Sequence, residues 1–110
     1  MSEFAIARRA LITRILDGAG RASSAQRRAA FDNTGLAEPL RTLIDKVVNH
    51  AYKIVDADVA AARKAGLSED EIFELVVCAA VGQAARQYDA AMAALAAATE
   101  RGKNASYDPR

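Results

Sequence analysis

The 110-residue sequence predicts an all-α domain, and three observations carry that prediction. Alanine dominates the apolar content, whereas aromatic residues are 5% of the chain and tryptophan is absent. The alanine methyl loses no rotamer freedom in a helix, so composition already leans helical. Apolar residues recur at three- and four-residue spacing along most of the chain. Helix-capping residues then stand where those periodic runs begin, above all in Ser68-Glu69-Asp70-Glu71.

The first segment, Glu3 to Asp17, sets Phe4, Ile6, Ala7, Leu11, Ile12, Ile15 and Leu16 on one stripe, with Ser2 as N-cap and Gly18 and Gly20 as the stop. A shorter helix is predicted from Ser24 to Phe31, ending at the turn cluster Asp32-Asn33-Thr34-Gly35. Pro39 suits the first turn of a third helix, in which Leu40, Leu43, Ile44, Val47, Val48 and Ala51 share a face. Asp56 is the expected cap of a helix over Ala57 to Ala65, with Gly66 as its C-terminal stop. In the fifth segment Ser68 and Glu71 can satisfy each other's backbone N–H, and three acids in the first turn complement the helix dipole. That helix is expected to run to about Glu100, with Arg101-Gly102 ending it. The domain reading is one helical domain over residues 1–102 and a flexible tail over 103–110.

The fifth helix is also the reason to expect assembly. Phe73, Val77, Ala80, Ala84, Tyr88, Met92 and Leu95 form one stripe, and Leu75, Val76, Ala79 and Val81 make its first half apolar nearly all round. A helix apolar on every side has to be covered on every side. Four or five short helices give limited cover, so a homo-oligomer is expected, with a neighbouring subunit supplying the rest.

Charge is nearly balanced overall, at +1, but residues 1–30 carry six arginines against two acids. A basic first third favours an anionic partner or acidic helices. It lacks the clustered cations, interleaved aromatics and DNA-reading motifs of a nucleic-acid surface, so no nucleic-acid partner is expected. No apolar run reaches the length of a membrane span, and arginines interrupt the stretch where a secretory signal would lie. Cys78 stands alone and cannot form an internal disulfide. Cytoplasmic location, no membrane partner and no cofactor are the resulting expectations.

Residues 36–95, with the cadence Ala61-Ala62-Arg63-Lys64-Ala65-Gly66-Leu67-Ser68-Glu69-Asp70-Glu71-Ile72 between a helix and a long Ala-rich helix, resemble the alkyl hydroperoxidase D-like superfamily, which includes carboxymuconolactone decarboxylases. The resemblance implies a bundle of about five helices. Its peroxidase members carry C-x-x-C-x-x-x-H on the helix before the glycine, and alignment on Gly66 puts those positions at Ala51, Ile54 and Asp58. Both thiols and the imidazole are missing there, and no cysteine lies within residues 50–60. Without a thiolate there is no nucleophile for a peroxide bond, and without a second thiol no resolving disulfide. The glutamate of that family's proton relay would fall near Pro39, beside Glu38.

Several residues around the degenerate site remain as candidates. His50, the only imidazole, adjoins the lost first thiol and would be the natural acid/base group of a surviving active site. Tyr52 and Asp58 surround the same place, while Gln83 and Arg86 lie three apart on the long helix and could line an interhelical pocket or bond across a subunit interface. Each has a plainer reading: a surface histidine, a first-turn acid that favours the helix dipole, interface hydrogen bonds. Cys78, set among Val76, Val77, Ala79 and Ala80, reads as a core filler, and one histidine without cysteines is no familiar metal set.

Three functions follow as expectations. The first is a family member without peroxidase activity, acting as a structural, small-molecule-binding or partner-binding module. The second is a thiol-independent enzyme, related to lactone decarboxylases or isomerases, with His50 as acid/base. The third is an accessory helical subunit docking an acidic partner through its basic first segment.

Overall fold

In the computed structural model, which describes residues 2–106 and side chains through Lys103, five α-helices follow one another without a strand among the described residues. They are α1 (Glu3–Asp17), α2 (Ser24–Asp32), α3 (Leu40–Asn49), α4 (Asp56–Lys64) and α5 (Glu69–Ser106), with a single 3-10 turn (Ala51–Lys53) between α3 and α4. Most boundaries have a visible chemical cause. The Ser2 hydroxyl accepts from the Ala5 N–H at 3.0 Å to open α1, and Ser23 does the same for α2 from the Gln26 N–H at 3.1 Å. Asn33 closes α2 in the left-handed conformation, where its N–H reaches back to the carbonyls of Ala29 and Ala30.

The Ser68 and Glu71 side chains cap α5 reciprocally, each accepting from the other's backbone N–H at 3.1 Å. Gly66, at φ +105°, makes the reversal between α4 and α5 that a side chain would strain.

Four boundaries differ from the sequence expectation. Pro39 stands one position before α3 rather than in its first turn. The third helix stops at Asn49, because His50 leaves helical geometry at φ −150° and its own N–H takes the Lys46 carbonyl at 2.7 Å. Asp56 is the first residue of α4 and not its cap. The cap position is Val55, whose N–H donates at 2.9 Å to the carboxylate of Asp58. Finally α5 runs through Arg101 and Gly102 to Ser106, so residues 103–106 of the expected tail are helical, and 107–110 lie outside the described residues. A lone glycine costs a helix about 1 kcal/mol, too little by itself to stop a long helix that alanines carry up to Ala98.

α5 is the axis on which the others are arranged. Its Ile72, Leu75, Cys78 and Ala79 meet Leu16 of α1, Ala30 of α2, Leu40, Leu43 and Ile44 of α3 and Ala62 of α4 in one core. Fully burying an aliphatic side chain of this size contributes roughly 1.5–3 kcal/mol, and six such residues make this core a modest one. α2 makes the most extensive contact with α5, and Gly82 permits it: a Cβ there would overlap the Phe31 carbonyl oxygen. α5 is 38 residues and so about 57 Å long, far longer than the body that packs on its first half. The molecule measures 70 × 30 × 20 Å with a radius of gyration of 18.5 Å, against about 13 Å for a compact domain of this size. Beyond Asp89 the helix projects as an arm whose described side chains are all exposed.

Candidate functional site

The five residues singled out in the sequence do not converge. His50 is exposed, and its backbone forms the joint between α3 and the 3-10 turn, accepting from the Lys53 N–H at 2.8 Å. Its ring stands edge-on to Tyr52, with centroids 6.0 Å apart, and Tyr52 is 81% exposed. Asp58 is engaged structurally. Both of its oxygens accept from Lys46 Nζ at 2.9 Å, and one also takes the Val55 N–H. The Lys46 hydrogen bond, then the Val55 N–H, hold this carboxyl below the usual range. A carboxylate held ionised between two donors has little tendency to take up a proton from a substrate.

Gln83 and Arg86 serve a different junction. Arg86 donates to the Phe31 carbonyl at 2.6 Å, which secures the end of α2 to α5, and to the Gln83 amide oxygen at 3.2 Å. Cys78 is buried, its Sγ 3.4 Å from the Ile15 carbonyl, and burial pushes its thiol up, away from the reactive thiolate. Among the described residues no group of three or more His, Cys, Asp or Glu could hold a metal ion. No described helix is long and apolar enough to cross a membrane.

Two polar devices escaped the sequence reading. Arg27, 7% exposed, donates to the carbonyls of Ala22 at 2.9 Å and Gly18 at 2.7 Å, with Ile15 at 3.4 Å. A buried guanidinium is costly unless its N–H groups are used, and here they close the α1–α2 turn. Opposite it, Glu74 accepts the backbone N–H groups of Arg21 at 2.7 Å and Ala22 at 2.9 Å, fastening that turn to α5. The Ala22 N–H, then that of Arg21, hold the Glu74 carboxyl below its usual range. No periodicity announces such bonds, because their partners are main-chain groups of the α1–α2 turn, which only the fold brings to Arg27 and Glu74.

The most extended feature is apolar. The stripe expected on α5 exists, but it faces outward. Leu75, Cys78, Ala79 and Gly82 take the core side, leaving Phe73 69% and Leu95 57% exposed, with Tyr88 and Met92 exposed between them. α1 covers one flank. Phe4 lies against Tyr88 with ring centroids 5.0 Å apart, and Arg8 pairs with Asp89 at 2.6 and 2.9 Å while its guanidinium sits 5.9 Å from the Tyr88 ring. Between the two helices lies an open groove of about 430 Å³, walled by Phe4 and Leu11 and floored by Val81, Ala84 and Ala85. Phe4, Ile6 and Leu11 are themselves exposed. Their spacing on α1 was the available signal, read from sequence as one apolar stripe on the helix. Comparison with family models, curated proteins and solved structures finds no match to this chain.

Proposed function

We propose that this protein is a self-assembling, partner-binding helical module, built to associate through α5 and the adjoining face of α1, without peroxidase chemistry. One observation carries the reading: the apolar stripe from Phe73 to Leu95 of α5 faces outward and is covered by its own chain only along the flank where α1 lies, bordered by the exposed Phe4 and Leu11. Exposed apolar surface of this continuity marks an interaction site. A projecting helix of fifteen or so residues is only marginally stable in water, so the arm also needs a neighbour. The kinship with alkyl hydroperoxidase D-like proteins stays part of the proposal and rests on the capped α4–α5 junction around Gly66 and Ser68.

Sedimentation velocity on the purified chain tests the reading. A species of twice the 11.7 kDa chain mass or more is the expected result. A monomer that persists at high protein concentration would overturn it. The reading with His50 as acid/base draws no support from an exposed imidazole whose aromatic neighbour, Tyr52, is also exposed.

A further inference from the structure

We infer that α5 pairs with α5 of a second copy of this chain in antiparallel register, about a two-fold axis passing between Gln87 and Tyr88. The inference rests on the assembly reading above and adds the occupant's orientation and register.

On the outward face of α5, one row of small and apolar positions is symmetric in its spacing, with Tyr88 and Met92 standing to the side of that row. From Phe73 it steps through Val77, Ala80 and Ala84 to the centre, and from Gly102 backwards it steps through Ala98, Leu95 and Ala91 at the same intervals. Reversing one copy against the other sets Phe73 opposite the partner's Gly102, where no atom lies within 4 Å of a would-be Cβ. Val77 then faces the partner's Ala98, Ala80 the partner's Leu95, and Ala84 the partner's Ala91. In the outer three layers the larger side chain meets a smaller one or none, as close helix packing requires. Phe73 and Gly102 lie about eight turns apart at 3.6 residues per turn, so the stripe stays on one side of a straight helix and demands no supercoil.

The same register answers both deficits of the single chain. The partner's arm lies along the outward face of the first half of α5, and this chain's arm lies along the partner's. The partner's Met92 comes level with Val81, Ala84 and Ala85 on the side where α1 stands, at the mouth of the apolar groove. Charge selects the orientation. α5 begins with Glu69, Asp70 and Glu71 and carries Arg101 and Lys103 near its other end. In antiparallel pairing the acidic start meets the partner's basic end, with Asp70 and Lys103 on one flank and Glu69 and Arg101 on the other. Parallel pairing would set like charges side by side and align the two helix dipoles unfavourably.

Disulfide trapping tests this register separately from assembly. Ala84 and Ala91 are exposed, and within one chain they lie two helical turns apart, too far for an internal bond. In a Cys78→Ala background, the double variant Ala84→Cys/Ala91→Cys is expected to oxidise almost completely to a covalent dimer. Either single variant should lose that product. Circular dichroism confirms that each variant is folded. Single variants that cross-link as fully as the double would overturn the register in favour of a parallel pair. A dimer by sedimentation in which none of the three cross-links would overturn it while sparing the assembly reading. A monomer by sedimentation would sink both.

Discussion

At the scale of single residues, the carboxylates that matter are held by hydrogen-bond donors rather than exposed for chemistry. Glu74 takes two backbone N–H groups, Asp58 takes Lys46 and Val55, Asp89 takes Arg8, and Glu38 takes the Thr42 hydroxyl and N–H. All four carboxyls lie below their usual range for these reasons. A carboxyl that binds its proton more weakly when folded stabilises the fold above the unfolded pKa, about 4, and that contribution fades as pH falls through the folded value. Stability is therefore expected to be flat near neutrality and to drop below about pH 4. Glu74→Gln should cost on the order of 1 kcal/mol at pH 7 and should show a shallower acid loss than the parent, read from urea midpoints at pH 7 and pH 3. An unchanged acid slope would mean that Glu74 does not secure the turn. The sequence disclosed little at this scale. Cys78 was legible as core because its neighbours are apolar, whereas Arg27 and Glu74 were not, because their partners are main-chain groups brought close only by the fold.

At the scale of the helix, local chemistry was largely readable. The bounds of α1 and the caps Ser2 and Ser68 fall where the sequence places them, since a hydroxyl three residues before an N–H is a purely local relation. Ends that depend on neighbours were misplaced. α3 stops at Asn49 although its periodicity continues to Ala51, and α5 passes Gly102 because one glycine cannot halt an alanine-rich helix. Gly82 shows the same division. Its presence in mid-helix is visible in the sequence, but its purpose, admitting the Phe31 carbonyl of α2, is tertiary. Gly82→Ala should lose about 1–3 kcal/mol to overpacking despite a helix-propensity gain near 1 kcal/mol, a loss that denaturant unfolding would register. A stabilised variant would show that α2 yields freely.

At the scale of the whole molecule, the elongation and the outward stripe set the behaviour to expect. The arm beyond Asp89 has little tertiary support, so its helicity should depend on assembly. Ellipticity at 222 nm should fall on dilution into the monomer range. Leu95→Asp, which places a charge at the centre of the arm's apolar face, should abolish the assembled species and reproduce the low ellipticity at all concentrations. Concentration-independent ellipticity in a protein that does assemble would mean that the arm lies outside the interface.

The sequence by itself determined that the chain is helical, roughly where each helix begins, that its single cysteine can form no internal disulfide, and that α5 carries more apolar surface than the short helices can hide. Those are local or compositional properties, fixed by spacing and side-chain type. Only the tertiary structure decided which side of α5 the short helices cover. They take the face of Leu75 and Cys78, because Ala79 and Gly82 on that side let backbones approach closely, and this turns the Phe73–Leu95 stripe outward. That choice also leaves the apolar face between α1 and α5 open, which no spacing in the sequence disclosed. A helical wheel shows which residues share a side, whereas close packing against particular neighbours selects the side that is buried.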